Sequence, residues 1–371
     1  MKRFASCLAA VYVVVCFGGG VERVEVPKAG VQLAAKCGEP SGLSKVWDFT
    51  KGTLPEGVRL RKRGRLSDNG LYTEGFADDS SQGGAELTDA FTPQGAFLFE
   101  AEFNVGDFAA TAKVERTSRI WDDMGIHSGA KCDNTGVEIG ITQAPNGYWT
   151  PYAIFGMGKD RFRVEGVMRR LYAGARTKMS VFFGGNGRVV MEFGGLVAER
   201  LLPMGGGLAQ SKRYRPVIGS RPLSNYSNFD GFVRRVSITP MKNDPAMFLT
   251  PGRMAFLRGE KDAVLEMSVV NRSGGAFRDV RVVTEQFCGE GRVKTAERRE
   301  GALPDGAALA VPVSIETRIR PGRHVLRATL HARGADGSEV TLPQVITYAI
   351  GPQIGDRMRS FKELANLIQR A

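Results

Sequence analysis

The sequence predicts an all-β protein made of two successive β-sandwiches. Apolar and polar residues alternate along many short segments, which is the pattern of half-buried strands. The breaks between these segments are rich in glycine, of which the 371-residue chain has 47, and glycine and proline mark turns. No amphipathic helix of ordinary length interrupts the series between residues 45 and 240. Together these observations favour short strands joined by turns over a helical or doubly wound fold.

The first twenty residues have the composition of a signal peptide. Lys2 and Arg3 precede an apolar stretch from Phe4 to Phe17, and Gly18–Gly20 offers small residues for cleavage. The stretch is shorter than the about 20 apolar residues of a membrane span, although a single membrane anchor is the alternative. We therefore predict an exported protein, extracellular, periplasmic or on the cell surface, with no transmembrane span after signal removal.

The first predicted sandwich occupies residues 42–241, after a linker over residues 21–41. Its strands begin at KVWDFT, and FLFEAEFNV over residues 97–105 alternates most clearly. GVEIGIT repeats the pattern with one apolar side. Asn-Gly accepts positive φ at both turn positions, so the Asn-Gly pairs in FFGGNGRVV and QAPNGYW predict two hairpins.

The second predicted sandwich occupies residues 245–350. Pro240, the polar stretch KNDP and Pro251-Gly252 mark the boundary before it. Its strands lie in AVLEMSVVN, RDVRVVTEQF, ALAVPVSIET and PGRHVLRATLHARGADGSEVTLPQVITYAI. Residues 351–371 follow as a linker and a short C-terminal helix, because apolar residues fall on one helical face of RMRSFKELANLIQRA.

The order of these motifs resembles known families. WDFTKG, FLFEAEF, TKMSVFFGGNGRVVMEFGG and PVIGSRPLSNYSNFDGFVRRVSI resemble the successive strands of a laminin G-like, concanavalin A-like jelly roll. NRSGGAFRDVRV and PGRHVLRATL resemble the immunoglobulin-like accessory modules of secreted bacterial carbohydrate-active proteins. The resemblance implies a lectin/glucanase-type jelly roll with a role in carbohydrate binding, followed by an immunoglobulin-like β-sandwich.

The closing motif NFDGFVRRVSI carries two adjacent arginines in a basic chain. Gly231 is expected to permit a tight entry into the last strand, and the apolar residues after it to supply buried surface. Arg234 and Arg235 stand where the resembled family often has acidic residues. We interpret them as solvent-facing positions of a strand and not as readers of phosphate.

The chain is strongly basic, with a formal net charge of +12. Export argues against nucleic acid as the partner and favours a polysaccharide or glycan. An anionic glycan is included, because sulfated and carboxylated sugars both complement a basic protein. The densest cluster is RLRKRGR, in which Arg59, Arg61, Arg63 and Arg65 would share one face of a strand. That face is either an edge strand protected by charge or a groove for acidic sugars.

No catalytic residue is predicted. Jelly-roll glucanases use an ExDxE strand, and this spacing is absent, since Glu100 and Glu102 lack a third acid. His127 lies near two aspartates, but no G-x-S-x-G nucleophile motif is present. IGPQIGDRM resembles the linker that leads into the (β/α) barrel of some glycoside hydrolases, so an accessory region of a truncated or split hydrolase is one alternative.

Ligand-binding candidates lie in the predicted rim loops. Trp121, Trp149 and Tyr152 could stack on a sugar ring, or they could instead close the ends of the sandwich. Calcium is the one cofactor considered, because the resembled sandwiches bind it through rim loops. Its weak candidate ligands are Asp122, Asp123 and Asp133.

The sequence therefore indicates a secreted, non-catalytic protein that binds carbohydrate or recognises a surface. A protein-binding adhesion module is the remaining alternative. Without the signal three cysteines are left, and either Cys37 pairs with Cys132 or all three, including Cys288, are free thiols.

Overall fold

The computed structural model describes residues 39–73, 83–89, 93–106, 116–124, 134–144, 147–158, 160–185, 187–202, 208–211, 214–222, 228–250, 252–289 and 291–352. Across these ranges the chain forms 26 strands and no helix. All strand pairs but one are antiparallel. The predicted all-β fold class is confirmed.

Eight strands form the first sheet of the N-terminal sandwich. They are β1 (Lys45–Asp48), β3 (Gly64–Ser67), β4 (Gly70–Thr73), β6 (Phe97–Val105), β12 (Arg176–Phe183), β13 (Arg188–Phe193), β14 (Leu196–Leu201) and β16 (Gly231–Pro240). Their order is β14-β13-β12-β6-β16-β4-β3, and β1 also pairs with β16.

Eight further strands form the second sheet. They are β2 (Val58–Leu60), β5 (Ala85–Leu87), β7 (Arg116–Asp122), β8 (Val137–Gln143), β9 (Tyr148–Gly156), β10 (Arg161–Glu165), β11 (Arg169–Arg170) and β15 (Val217–Ile218). Their order is β10-β9-β8-β7-β15-β5-β2, with β11 on the outside of β9. Strand β15 is the next strand after β14 along the chain yet lies in the other sheet, so the chain crosses repeatedly between the two sheets, as in a jelly roll.

Period-two burial in β6 shows how the sequence builds the core between the sheets. Phe97, Phe99 and Phe103 are at most 1% exposed, whereas Glu100 between them is exposed on the outer face. Phe103 contacts Phe229 edge-on, with ring centroids 5.3 Å apart. Because an aromatic ring removes 150–250 Å² from water, these side chains dominate the stability of the sandwich.

Strand β16 contains the two adjacent arginines. Gly231 has φ of 135°, and a Cβ there would lie 2.1 Å from the carbonyl oxygen of Asn104, so no other residue fits the entry to the strand without strain. The side chains of Val233 and Val236 are fully buried in the core of the sandwich. Arg235 is exposed, while Arg234 is half-buried, with its Nε 3.3 Å from a carboxylate oxygen of Glu102. The tight entry at Gly231 and the buried valines agree with the expected strand, whereas Arg234 is half-buried and ion-paired and only Arg235 faces solvent as predicted.

The two predicted hairpins are both present. Strands β8 and β9 pair from Val137↔Phe155 to Gln143↔Trp149. Strands β12 and β13 pair up to Phe183↔Val189. The turn residues Asn146 and Asn186 lie outside the described residues.

The C-terminal strands form a second sandwich. They are β17 (Ala246–Leu249), β18 (Ala255–Leu257), β19 (Val264–Leu265), β20 (Ser268–Asn271), β21 (Phe277–Cys288), β22 (Gly291–Leu303), β23 (Ala308–Ala310), β24 (Val313–Ser314), β25 (Gly322–Arg333) and β26 (Glu339–Gly351). A five-stranded sheet of order β18-β26-β25-β21-β22 accompanies the smaller sheets β17-β20-β23 and β19-β24. One hydrophobic cluster is drawn from residues 47–238 and another from residues 246–350. The division at residues 242–244 and the immunoglobulin-like assignment stay predictions.

Several sequence expectations fall on parts of the chain that the structure does not describe. They concern the signal peptide, residues 21–38 of the linker, a disulfide between Cys37 and Cys132, and the C-terminal helix beyond residue 352. The last linker residues meet the end of the first sandwich, where Pro40 bridges to Met241. No helix capable of crossing a bilayer occurs among the residues described.

Candidate functional site

The second sheet of the N-terminal sandwich carries buried charged residues on its side opposite the core. Val137, Ile139 and Ile141 of β8 point into the core, so Glu138 and Gly140 face the other way. All seven residues of β8 are nevertheless buried. We use the name polar face for the buried group on this side of the sheet that consists of Arg119, Asp122, Glu138, Gly140, Thr142 and Tyr152.

Arg119 of β7 is the centre of the polar face. Its side chain is 7% exposed and reaches two carboxylates, with Nε 3.1 Å from Asp122 Oδ2 and Nη2 3.0 Å from Glu138 Oε1. The fold produces this contact because β7 pairs with β8, which sets Asp122 opposite Glu138. Burial lowers the pKa of Arg119, but electrostatic interactions with Tyr152, Glu138 and Asp122 outweigh it and raise the pKa overall.

Tyr152 of β9 closes the same network. Its hydroxyl donates a hydrogen bond of 2.8 Å to Glu138 Oε1. Burial, followed by the negative charge of Glu138, raises the pKa of Tyr152 well above its usual range, so the hydroxyl remains a donor. The guanidinium of Arg163 lies 4.3 Å from the centroid of the Tyr152 ring and also donates to Thr142 Oγ1 at 2.9 Å.

Gly140 makes room for this arrangement. It lies directly opposite Tyr152 in the pairing of β8 with β9. A Cβ at this position would lie 2.2 Å from the carbonyl oxygen of Ser118 and 2.7 Å from the Tyr152 hydroxyl oxygen. The absence of a side chain therefore lets Tyr152 lean across β8 toward Glu138.

Replacing Gly140 by alanine should disturb the polar face. The added methyl group must displace the backbone of β7 or push Tyr152 away from Glu138, which costs about 1–3 kcal/mol of unfolding free energy. Urea unfolding followed by tryptophan fluorescence measures this change. Gly301→Ala is the matched control, since nothing lies within 4 Å of a Cβ at that strand position. Equal stability of both variants and the parent would contradict this role of Gly140.

Several buried polar atoms of this region have no hydrogen-bond partner among the described residues. They include Glu138 Oε2, Arg119 Nη1 and Arg221 Nε. Arg221 lies in the turn after β15 and is 9% exposed. Because buried polar atoms are nearly always hydrogen-bonded in folded proteins, such unpartnered atoms mark places where a ligand can supply the missing contacts.

The aromatic residues predicted to stack on a sugar are not available for stacking in this structure. Trp121, Trp149 and Tyr152 are each 0% exposed. Trp121 and Trp149 lie in the hydrophobic core, and the centroid of the Trp121 ring is 5.3 Å from that of Trp47. The two tryptophans therefore pack inside the sandwich and do not face a ligand. Tyr152 differs from them, because its hydroxyl reaches the polar face.

The predicted row of arginines does not share one strand face. Strand β2 ends at Leu60 in the second sheet, and β3 starts at Gly64 in the first sheet, with a turn between them. Arg59 is exposed and pairs with Glu86, with 2.6 Å between Nη2 and Oε2. Arg61 is buried, Arg63 is half-buried in the turn, and Arg65 is exposed on β3. The expectation of a common face is wrong because a sheet crossing interrupts the run.

The aspartates predicted as calcium ligands have protein partners. Asp122 pairs with Arg119 and accepts a hydrogen bond from the amide of Met124 at 2.9 Å. Asp123 accepts one from the amide of Val137. Asp133 lies outside the described residues. Calcium takes six to eight oxygen ligands, and Asp122 and Asp123 are already engaged by the guanidinium of Arg119 and by backbone amides, so these two aspartates do not by themselves form a calcium site.

The described part of the chain contains no group of three or more His, Cys, Asp or Glu residues that could hold a metal ion. Glu100 and Glu102 lie on the outer face of the first sheet, where Glu102 pairs with Arg176 and Arg234. His127 is outside the described residues. Cys288 is a free thiol of intermediate exposure.

Fold and site together define a two-sheet β-sandwich of the jelly-roll type with a charged polar face on one sheet. No family model matches the chain, and no curated protein matches it either. The assignment to this class rests on the strand order and register given above.

Solved structures that are similar include a carbohydrate recognition domain, a transglycosylase and a toxin domain. The carbohydrate recognition domain of Emp47p aligns with 53% of this chain and 95% of its own, at 12% identity and a TM-score of 0.35. Apo Crh5 transglycosylase aligns with 55% of this chain and 87% of its own, at 9% identity and a TM-score of 0.34. The receptor binding domain of botulinum neurotoxin mosaic serotype C/D aligns with 87% of this chain and 94% of its own, at 9% identity and a TM-score of 0.34.

Proposed function

We propose that this chain is an exported recognition protein that binds a glycan at the polar face of its N-terminal sandwich. The observation that carries the proposal is the set of buried, unpartnered donor and acceptor atoms on Arg119, Glu138 and Arg221. A sugar hydroxyl both donates and accepts hydrogen bonds, so one sugar ring can satisfy a carboxylate and a guanidinium at the same time. The second sandwich then serves as a spacer or docking module.

Binding without turnover is the form of this proposal that the contacts favour. Hydrolysis of a glycosidic bond needs two carboxylates with separate roles, one of them a proton donor. Here Asp122 and Glu138 are both engaged by the single guanidinium of Arg119, so Glu138 can accept a hydrogen bond through Oε2 but the pair does not divide into a proton donor and a separate base or nucleophile. The protein would instead be a hydrolase if it released reducing ends steadily from a bound polymer and if Glu138→Gln abolished that release.

A glycan array that includes neutral, sulfated and uronic-acid polymers tests the proposal. We expect binding to at least one polymer class at low salt, and Glu138→Gln should weaken that binding by at least tenfold because it changes the acceptor at the polar face. Glu100→Gln is the matched control, since Glu100 is exposed on the outer face of the opposite sheet.

Hydrogen exchange provides a second measurement that needs no variant. The bound polymer should slow amide exchange in peptides that cover residues 134–144 and 147–158 and leave residues 291–303 unchanged. Absence of binding to every polymer, with capture of a protein partner instead, would favour the adhesion alternative. Protection confined to the second sandwich would remove the polar face as the binding site.

A further inference from the structure

Arg221 carries a buried positive charge that has no carboxylate partner within the described residues. It lies in the turn after β15, which is held to β7 by the hydrogen bond from the Gly219 amide to the carbonyl of Ile120 at 3.0 Å. Its side chain makes no ion pair there, although the carboxylates of Glu138 and Asp122 are close enough to influence its pKa. Burial, together with the nearby charge of Arg119, lowers that pKa.

A second buried arginine stands beside it. Arg61 is 9% exposed and donates to the backbone carbonyl oxygens of Arg221 and of Pro222, the latter at 2.9 Å. These contacts fix the turn that carries Arg221. They involve neutral carbonyl groups, so the charge of Arg61 is not neutralised, and burial lowers the pKa of Arg61 to about 10.

The neighbouring carboxylates are already paired with other arginines. Arg119 holds Asp122 and Glu138, and Arg59 holds Glu86. Among the described residues, this end of the polar face therefore has more buried positive charge than its carboxylates balance. A buried charge costs several kcal/mol unless a partner and hydrogen bonds compensate it, and no group among the described residues forms an ion pair with Arg221.

We propose, on the basis of the glycan-binding function above, that Arg221 and Arg61 form a subsite for the oxyanion of an acidic polysaccharide. The oxyanion is either the carboxylate of a uronic acid or a sulfate ester, and both groups present negatively charged oxygens. A guanidinium presents N–H donors in a plane that matches two oxygens of either group. A sugar chain lying along the polar face would then place a hydroxyl on Glu138 and its acidic group on Arg221.

Titration calorimetry with four probes tests the subsite. The probes are a polyuronate, a sulfated polysaccharide, a neutral polysaccharide and inorganic sulfate, each at 50 mM and 500 mM NaCl. We expect an acidic polymer to bind at least tenfold more tightly than the neutral one at low salt, with the difference reduced at high salt. Which of the two acidic polymers binds identifies the oxyanion.

The decisive variant is Arg221→Gln, which keeps a polar side chain and removes the charge. It should reduce the affinity for the acidic polymer at least tenfold and leave the affinity for the neutral polymer within twofold. Its midpoint of thermal unfolding should not fall, because the variant removes an unpartnered buried charge. Arg272→Gln, at an exposed arginine of the second sandwich, is the control.

The outcomes separate this inference from the glycan-binding function. Equal binding of acidic and neutral polymers, unaffected by Arg221→Gln, would overturn the subsite and leave glycan binding intact. Binding of inorganic sulfate without any polymer would overturn the assignment to a polysaccharide. No binding of any probe would remove both proposals.

Discussion

Replacing Arg119 by methionine should lower the free energy of unfolding by about 3–5 kcal/mol, because it leaves two buried carboxylates without their shared cation. Asp122 and Glu138 have side chains no more than 1% exposed, so both carboxylates would remain buried without the guanidinium that they share. Methionine retains most of the volume of the arginine stem, which keeps the packing change small. Urea denaturation at pH 7 gives the difference directly.

Two further variants make this test specific to the network. Arg161→Met is the matched control on β10, where the arginine is exposed, and its effect should stay within about 0.5 kcal/mol. Adding Asp122→Asn and Glu138→Gln to Arg119→Met removes the unpaired charges and should recover part of the loss. A loss below about 1 kcal/mol for Arg119→Met alone would mean that the carboxylates find other partners.

Much of the architecture could be predicted because burial in a sheet has a period of two. The alternation in residues 97–105 places every second residue in the core, and β6 shows this burial. Asn-Gly pairs located the two hairpins because few other dipeptides accept their backbone conformation. These signals are local, so a single sequence is sufficient to read them.

Strand β22 was not predicted, and its burial explains the omission. It lies at the edge of its sheet, and 12 of its 13 residues are not buried. Neither of its faces carries an apolar series, since Arg298 and Glu300 lie opposite Val282 and Val280 of β21. An edge strand that covers no core has no periodic signal to detect.

The polar face could not be predicted for a related reason. Alternation correctly turns Glu138 away from the core, but an outward position is ordinarily read as exposed, whereas all of β8 is buried. Arg221 reaches the site only because β15 pairs with β7, about a hundred residues earlier in the chain. The sequence contains the residues of the site but no local signal of their proximity.

A second buried ion network should make stability depend on pH in an unusual direction. Arg188 of β13 is 3% exposed, with Nε 2.9 Å from Glu199 Oε1 and Nη1 3.3 Å from Asp244 Oδ2. Burial raises the pKa of Asp244 to about 6; Arg188 acts in the opposite direction, and Glu199 adds to the rise. Asp244 thus carries a proton more readily in the folded state than in the unfolded one, whose value is near 3.8.

The raised pKa means that protonation of Asp244 favours the folded state. Its stabilising contribution is complete below the unfolded pKa and is lost as the pH rises through about 6. A shift of about two units corresponds to about 3 kcal/mol. Relative to Asp244→Asn, which cannot titrate, the parent should therefore gain about 2–3 kcal/mol of unfolding free energy between pH 7.5 and pH 4.

Urea unfolding of both proteins at half-unit pH intervals measures this gain. Titrations elsewhere in the chain cancel in the difference between the two curves, because both proteins share them. Asp262→Asn is the control, since Asp262 is an exposed turn residue of the second sandwich, and its curve should run parallel to that of the parent. A parallel curve for Asp244→Asn as well would show that the interaction with Arg188 cancels the effect of burial on the pKa of Asp244 and would contradict the prediction. A difference of opposite sign, with the parent losing stability toward pH 4, would show a salt bridge strong enough to depress the pKa of Asp244.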